Sequence, residues 1–378
     1  MSDIFLDAAT TLYNQPIADW QAAGKKIVGY SCSYVPAEMF HAADILPVRL
    51  RGIETEGMDI GDVYFGPYIC SFPKCILQLA GKGRYKFLDG AIITPGCDSM
   101  RRLDECWRKA GDDYEGTVPP YFYYFDVPHK TAPHGMKWFV EEIVHLKESV
   151  EGHFGVKIEE DALKQSIAFY NQGRELLKEL EALRARPEVP ISGKEAFAVA
   201  IAGTVMPREP YTEQLRELIN SLKTADPVST GKKRIMVIGS ISDDIDLIDL
   251  IESRNDALVV AENLCFGVRY EGHVISEEGD PFQALAEGYL GECTCPRMFG
   301  KYQERLDILK EKIETAKVHG VIMQNIRFCD LHGSEHGLFE RDLEKAGIPC
   351  LKVEREYGPL TDSGRMNMRI QAFLERLA

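Results

Sequence analysis

The chain has 378 residues, with 59 Asp and Glu against 44 Lys and Arg, and a formal net charge of −15. This acidic balance disfavours nucleic acid and anionic membrane surfaces as partners, because both would repel the protein. No segment has the length of an apolar membrane span or the pattern of a signal peptide, so we predict a cytoplasmic enzyme. Its ten cysteines would lie in a reducing compartment, where metal binding or catalysis is a better expectation than disulfides.

The first part of the chain alternates short apolar runs with helical stretches. Four of these runs predict buried strands: residues 26–31, 45–50, 90–95 and 121–127. The intervening helices are predicted to begin near Pro36, Ser71 and Ser99. Strands that alternate with helices form parallel sheets, so we predict an α/β domain over residues 1–135.

Residues 136–224 repeat apolar residues at helical spacing and predict a helical insert or bridge. Residues 225–233, with the sequence ADPVSTGKK, have the composition of turns and are the best linker candidate. A second alternation follows, with predicted strands at RIMVIGS, ALVVAEN, GVIMQNI and CLKVERE. We therefore predict a second α/β domain over residues 232–378. The expected fold is a pair of Rossmann- or flavodoxin-like parallel-sheet domains with the helical segment between them.

Four cysteines come directly after apolar runs of this pattern. They are Cys32, Cys97, Cys265 and Cys329. The carboxyl ends of parallel strands form the edge at which open α/β sheets bind ligands, and soft sulfur gathered there predicts a metal cluster. The sequence contains no Walker-type phosphate loop and no dinucleotide glycine pattern. We therefore do not expect the chain itself to hydrolyse ATP or to hold NAD.

Longer segments carry a family resemblance, in the same order over nearly the whole chain. They are VGYSCSYVPAEMFHAADILPVRL, YICSFPKCILQLAGKGRYKFLDGAIITPGCDSMRRL, DPFQALAEGYLGECTCPR, and GVIMQNIRFCD with IPCLKVEREYG. These segments resemble the 2-hydroxyacyl-CoA dehydratase and benzoyl-CoA reductase family. The resemblance implies an oxygen-sensitive iron–sulfur subunit that receives a low-potential electron from an ATP-hydrolysing activator protein. It also implies a sister subunit of the same fold, or a homodimer.

The resemblance further implies a [4Fe-4S] cluster held by three cysteines, which by motif are Cys70, Cys97 and Cys329. Three thiolates leave one iron of a cubane open, and an open iron can bind a substrate oxygen as a Lewis acid. The implied reaction is the radical dehydration of a 2-hydroxyacyl-CoA or the reduction of an aryl-CoA thioester.

The chain has more candidate thiols than one cubane requires. The additional ones are Cys32, Cys265, Cys293 and Cys295, and spacing does not decide between the last two. Members of the wider family that hold a double-cubane [8Fe-9S] cluster use about six cysteines, so a double-cubane reductase of small molecules is an alternative. The segments RFCDLHG and VEREYG are more similar to the CoA-thioester branch. A third hypothesis is a non-catalytic electron-relay subunit.

Three further cysteines, Cys75, Cys106 and Cys350, are expected to pack in the core, because free cysteine is among the most buried residue types.

Other polar residues have two interpretations each. Glu38 could act as a base and His332 and His336 could supply a proton, although such residues at helix entries are commonly caps or solvated groups. Possible phosphate or thioester contacts, for which a surface ion pair is the simpler explanation, are Arg101, Arg102 and Arg269. The helix after Cys97 could also donate backbone N–H groups to a cluster sulfide or an anion.

Overall fold

The computed structural model describes residues 3–377, apart from residues 229, 255, 268–272, 292–294 and 359–362. Two of the residues discussed above, Arg269 and Cys293, lie outside the described part. The described residues contain two four-stranded sheets with all-parallel pairing, which confirms the predicted α/β class.

The first sheet has the strand order β2-β1-β3-β4. Its strands are β1 (Lys26–Tyr30), β2 (Ile45–Arg49), β3 (Gly90–Ile93) and β4 (Tyr121–Tyr124). Strand β2 is an edge strand, and this position accommodates Pro47, which has no N–H to donate to a neighbour. Strand β4, at the opposite edge, is shorter than the predicted run of residues 121–127.

The second sheet repeats this topology with the order β6-β5-β7-β8. Its strands are β5 (Lys233–Gly239), β6 (Ala257–Asn263), β7 (Gly320–Ile326) and β8 (Cys350–Arg355). Strands β5, β6 and β7 are buried almost throughout, as expected for parallel strands covered by helices on both faces. The matching order of the two sheets confirms the duplicated organisation that the sequence indicates.

Helices surround both sheets. In the first part of the chain they are α1 (Asp3–Thr10), α2 (Gln15–Ala22), α3 (Ala37–Ala42), α4 (Gly61–Tyr64), α5 (Ser71–Gly81) and α6 (Asp98–Asp113). The middle part contains α7 (Pro133–Phe154), α8 (Glu160–Ala185), α9 (Gly193–Ala202) and α10 (Arg208–Leu222). The last part contains α11 (Ile245–Glu252), α12 (Pro281–Ala286) with a π-helical turn (Glu287–Gly291), α13 (Tyr302–Thr315), α14 (Asp330–Lys345) and α15 (Ser363–Arg376). No helix within these ranges combines the length and apolar character that a bilayer span needs.

Helix α9 links the two hydrophobic cores. A capping box between Ser192 and Glu195 starts it, and the following residues are apolar on every face. Phe197 and Ile201 pack into the core of the second sheet, whereas Val199 packs into the core on the side of the first sheet. The helical segment is therefore a bridge that both sheets pack against.

A buried ion pair joins the carboxyl edges of the two sheets. Arg51, just after β2, donates from Nε to Asp243 Oδ2 at 2.6 Å, and Asp243 follows β5. Tyr357, after β8, donates its hydroxyl to Asp243 Oδ1 at 2.6 Å and accepts the Gly52 N–H at 2.9 Å. The ligand-binding edges of both sheets therefore face each other.

Candidate metal centre

The four cysteines predicted at strand ends lie beyond the carboxyl ends of their strands. Cys32 follows β1, Cys97 follows β3, Cys265 follows β6 and Cys329 follows β7. Strands β3 and β7 occupy the same position in their sheets, so Cys97 and Cys329 are structurally matched. The duplicated fold therefore directs one thiol from each domain toward the shared cleft.

Cys70, Cys97 and Cys329 form a group that we call the thiol triad. Burial raises the pKa of the Cys70 thiol, and the neighbouring Cys97 and Cys329 thiols raise it further. Burial likewise raises the pKa of Cys329 to about 12, with Cys97 again contributing. These charge interactions place the three sulfur atoms within electrostatic range of one another, two from the first domain and one from the second. Buried thiols with raised pKa values become thiolates readily only when a cation compensates the charge.

Each cysteine of the thiol triad is the residue immediately before a helix. Cys70 precedes α5, Cys97 precedes α6 and Cys329 precedes α14. Backbone N–H groups of the first helical turn lower the thiol pKa against the effect of burial, although none of them makes a capping hydrogen bond to the sulfur atom. These groups belong to Phe72 for Cys70, to Ser99 and Met100 for Cys97, and to His332 for Cys329. Sulfur thus stands at the position that a Ser, Thr, Asp or Asn side chain usually has at a helix start.

The Ser99 hydroxyl acts on two thiols of the thiol triad. It lowers the pKa of the Cys70 thiol and that of the Cys97 thiol. Ser99 is buried, with 6% of its surface exposed. The sequence identifies Ser99 only as a helix start, because this role depends on Cys70 lying next to a helix that begins 28 residues later in the chain.

Cys32 and Cys265 form a second group, the thiol pair. Burial raises the pKa of Cys32 to about 11, Arg49 opposes this rise, and Cys265 adds to it. Arg49, the last residue of β2, donates from Nη2 to Cys265 Sγ at 3.3 Å and from Nη1 to Ser33 Oγ at 2.5 Å. The thiol pair therefore lies beside a buried guanidinium that the sequence analysis did not identify.

Cys295 connects the thiol pair with the thiol triad. Its thiol raises the pKa of Cys32, and also those of Cys97 and Cys329. The thiol pair is also close to the triad through Gly96, where an added Cβ would lie 3.9 Å from Cys32 Sγ. Six thiols, three in the triad, two in the pair and Cys295, therefore form one continuous group.

Arg297 fixes the loops that carry these thiols. Its buried guanidinium donates to the carbonyl oxygens of Val127 at 2.8 Å and Pro128 at 2.9 Å. It also reaches the carbonyls of Pro95 and Gly96 at 3.4 Å, directly before Cys97. One side chain next to Cys295 therefore sets the position of the loop that leads to the thiol triad. The motif CPR is visible in the sequence, but nothing in it indicates four carbonyl partners.

The three cysteines expected to pack in the core have backbone partners. Cys75 donates to the Tyr357 carbonyl at 3.8 Å, Cys106 to that of Tyr64 at 3.5 Å, and Cys350 to that of Ile348 at 3.5 Å. Cys75 lies inside α5, one and a half turns beyond Cys70, and faces the Tyr357 loop. These contacts agree with packing roles.

The polar residues predicted as possible catalytic groups are all buried, but they have different surroundings. Glu38 is fully buried, forms an ion pair with Arg174 and accepts the Tyr289 hydroxyl at 2.8 Å, so its carboxylate is already engaged. His332 and His336 are both buried on α14, with ring centroids 6.0 Å apart, about one and two turns beyond Cys329. Their catalytic roles stay predictions.

Arg101 and Arg102 are exposed on α6. Arg102 lies 3.8 Å from carboxylate oxygens of Asp98 and Glu105, as the simpler interpretation of a surface ion pair predicts.

The chain matches the family model described as 2-hydroxyglutaryl-CoA dehydratase, D-component, over residues 32–377. It belongs to this family. The resemblance read from the sequence motifs is thereby confirmed, and so is an enzyme of the dehydratase or reductase type.

Curated relatives cover most of the dehydratase-family chain. It is 29% identical to one of the subunits of benzoyl-CoA reductase from Thauera aromatica, over 82% of this chain and 81% of the relative. It is 26% identical to the (R)-phenyllactyl-CoA dehydratase beta subunit of Clostridium sporogenes, over 94% and 93%. It is 23% identical to the beta subunit of (R)-2-hydroxyglutaryl-CoA dehydratase of Acidaminococcus fermentans, over 96% and 95%. All three relatives are named as subunits.

The donor set of this dehydratase-family chain fits an iron–sulfur cluster. In a cubane each iron takes one thiolate, and the ligands stand apart around the cluster. Separate thiols at three helix starts match that requirement.

Proposed function

We propose that this chain is the iron–sulfur catalytic subunit of a low-potential enzyme, which dehydrates a 2-hydroxyacyl-CoA by radical chemistry or reduces an aryl-CoA thioester. Family membership supports the dehydratase or reductase type. The observation that carries the iron–sulfur part is the thiol triad, in which Cys70, Cys97 and Cys329 meet from two domains at the carboxyl edges of their sheets. Such an edge is where open α/β folds bind their ligands.

When bound, a [4Fe-4S] cluster supplies a low-potential electron and one iron open to a substrate oxygen. The protein's own part is to hold and shield that chemistry. The triad thiolates would bind three irons, and the backbone N–H groups at the starts of α5, α6 and α14 would stabilise the sulfur charge. Arg297 would keep the loop before Cys97 in place. Cys70 is buried and Cys97 and Cys329 are partly buried, which would limit the access of water to the reacting atoms.

The proposed enzyme needs partners. We place the source of the electron in a separate ATP-hydrolysing iron–sulfur activator, because the sequence contains no ATP-binding loop of the Walker type. A sister subunit of the same fold is supported by the subunit names of the relatives, and a homodimer is the simpler arrangement of the same kind. We propose a cytoplasmic location for the assembly.

A double-cubane [8Fe-9S] reductase of small molecules is a second candidate, and one observation favours it. Cys295 interacts electrostatically both with the thiol triad and with Cys32 of the thiol pair. The six thiols of this continuous group equal the roughly six ligands that two joined cubanes require. Of the two cysteines in the CTC motif, Cys295 is supported as a cluster ligand by these electrostatic interactions. Cys293 lies outside the described residues.

Counting iron and acid-labile sulfide per chain tests both candidates, on protein purified without oxygen. Cys97→Ala removes a triad ligand, Cys265→Ala removes a ligand of the thiol pair, and Cys350→Ala is the matched control at a cysteine that contacts a backbone carbonyl. About four irons, reduced only by Cys97→Ala, would support the single cubane. About eight, reduced by both substitutions, would support the double cubane.

Two results would contradict the proposal. One is the absence of iron from anaerobically purified protein that also takes up none on reconstitution. The other is iron that is lost equally in the Cys350→Ala control. Turnover of (R)-phenyllactyl-CoA or benzoyl-CoA with ATP and an activator, with and without a co-purifying sister subunit, then separates dehydration from reduction.

A further inference from the structure

Arg305 contacts the backbone at Cys295 from the first turn of α13, and its side chain is only 5% exposed. Its Nη1 atom donates to the Cys295 carbonyl oxygen at 3.2 Å and to the Met298 carbonyl oxygen at 3.1 Å. The Met298 N–H donates to the same Cys295 carbonyl at 3.1 Å and closes a turn. Arg305 therefore holds the backbone of the turn that begins at Cys295.

The same guanidinium is anchored to the helix that begins at Cys329. Its Nε atom donates to Glu335 Oε2 at 3.0 Å, and its Nη2 atom donates to Glu335 Oε1. Glu335 lies on α14, six residues beyond Cys329, and its side chain is 12% exposed. Two parallel hydrogen bonds between a guanidinium and a carboxylate fix their relative orientation as well as their distance. The pair therefore connects the Cys295 turn to α14.

The Arg305 guanidinium is fully engaged in these contacts. All three of its nitrogen atoms donate, two of them to Glu335 and the third to the two carbonyl oxygens. Because the buried guanidinium is paired with a carboxylate, the pair adds little net charge to the metal centre. The contacts therefore fix a position and do not supply a charge.

A second arginine holds the same segment from the other domain. Arg297, two residues after Cys295, reaches the two carbonyl oxygens directly before Cys97, each at 3.4 Å. The segment is thus attached to the loop before Cys97 by Arg297 and to the helix after Cys329 by Arg305. These attachments agree with the electrostatic interactions of the Cys295 thiol with the Cys97 and Cys329 thiols.

We propose that Arg305 is a positioning residue, which together with Glu335 holds Cys295 at the thiol triad as a further cluster ligand. The inference rests on the proposed function, because it concerns a ligand of the same cluster. Arg305 acts through the Cys295 backbone and through α14. Replacing a side chain that orients a metal ligand typically lowers metal affinity about 10–100-fold.

Cross-linking with dibromobimane, which joins two neighbouring thiols, measures the position of Cys295 in iron-free protein. We expect cross-links from Cys295 to Cys97 or Cys329, identified by peptide mass spectrometry. Arg305→Met should form them about ten-fold more slowly, since hydrogen bonds that involve a charged group hold a segment by at least that factor. The Cys70–Cys97 cross-link, within the first domain, should form at an unchanged rate.

Three further variants separate position from charge and from general damage. Arg305→Lys keeps the charge, but an ammonium group lacks the fork that serves a carboxylate and two carbonyls, so the Cys295 cross-link should stay slow. Glu335→Gln keeps Arg305 and covers the case in which Arg305→Met does not fold, and it should slow the cross-link about three-fold. Arg341→Met changes an exposed arginine on α14 and is the matched control, with an unchanged rate.

The rate of iron loss to a chelator is measured on the anaerobically purified protein, and Arg305→Met should lose iron about ten-fold faster. The proposal is overturned by the absence of Cys295 cross-links in the parent protein, by unchanged rates in Arg305→Met or Glu335→Gln, by full recovery in Arg305→Lys, or by equal slowing in Arg341→Met.

The cross-link requires no iron, so the two proposals can fail separately. Protein that binds no iron but shows the expected cross-linking rates would reject the proposed function and keep the role of Arg305 in holding Cys295. Protein that binds iron but cross-links at the same rate in every variant would keep the proposed function and reject the positioning role.

Discussion

Single side chains tune the candidate metal centre through the sulfur atoms they touch. The Ser99 hydroxyl interacts with two sulfur atoms of the thiol triad, and Arg49 donates to one sulfur of the thiol pair. Hydrogen bonds to a ligand sulfur withdraw charge from it and stabilise the reduced state of a bound cluster. The reduction potential should therefore respond to these side chains even though neither would bind iron.

Ser99→Ala removes the shared hydroxyl and should make the reduction potential of the bound cluster more negative. Loss of roughly 1 kcal/mol of sulfur hydrogen bonding corresponds to about 40 mV for a one-electron couple. An EPR-monitored redox titration measures the shift, and Ser99→Thr, which keeps a hydroxyl, is the matched control. Equal potentials in all three proteins, at equal iron content, would mean that Ser99 has no influence on the cluster.

For single residues, the sequence predicted which thiols gather at the site, but it did not predict the side chains that contact them. Cysteines after apolar runs are visible in a sequence because the runs are local, and the family motifs named Cys70. The partner of Cys265, Arg49, is 216 positions away, and the carbonyl partners of Arg297 are about 170 to 200 positions away. No local pattern encodes such pairs, because the fold alone brings them together.

Strand ends set the geometry of the cleft, and β5 shows how closely they approach. Gly239 ends β5 with φ +133, and a Cβ at this position would lie 1.8 Å from the Gln324 carbonyl oxygen of β7. The next residue, Ser240, accepts the Gln324 side chain at its carbonyl and holds the Ile326 N–H with its hydroxyl. The end of β7, three residues before Cys329, is thus fixed by the end of β5.

Gly239→Ala should lower the free energy of unfolding by about 3 kcal/mol, since it combines an unfavourable backbone conformation with displacement of the β7 backbone. Chemical denaturation followed by circular dichroism measures the change. Gly66→Ala is the control, because a Cβ there meets no atom within 4 Å, and it should be nearly neutral. Equal losses in the two variants would contradict the argument.

The elements themselves were largely predictable from the sequence. All eight strands lie within or next to the predicted runs, because buried parallel strands are short, continuous apolar segments. The sequence did not reveal the shortened β4 or the π-helical turn at residues 287–291, since both depend on neighbouring elements. The sequence indicated that the α/β pattern is repeated, but it did not give the strand order that the two sheets share.

The whole molecule depends on contacts across the cleft. The Arg51–Asp243 pair joins the ends of β2 and β5, and Tyr357 adds the end of β8 to the same carboxylate. Both charged side chains are about 2% exposed or less, so each is compensated almost entirely by the other and by hydrogen bonds. Removing one of them leaves an isolated charge in the interior, which is far more costly than losing a surface pair.

Asp243→Ala should therefore lower the free energy of unfolding by about 3–5 kcal/mol. Asp112→Ala, which breaks an exposed pair with Lys109, should change it by no more than about 0.5 kcal/mol. Denaturant midpoints for the two variants, measured at the same protein concentration, give the comparison. A loss for Asp243→Ala as small as for Asp112→Ala would show that the buried pair contributes little to joining the domains.

Three helices begin at the cysteines of the thiol triad, two in the first domain and one in the second. Their positively polarised N-terminal ends therefore all lie at the thiol triad. Each helix start carries a partial charge of about +0.5 from its aligned peptide groups, so α5, α6 and α14 together present about +1.5 to the sulfur atoms. That charge offsets part of the repulsion among three thiolates. It belongs to the main chain, so no side-chain substitution removes it, and it is assembled only when the two domains close on each other. The positive charge that stabilises the three thiolates is therefore complete only once the two domains have packed together.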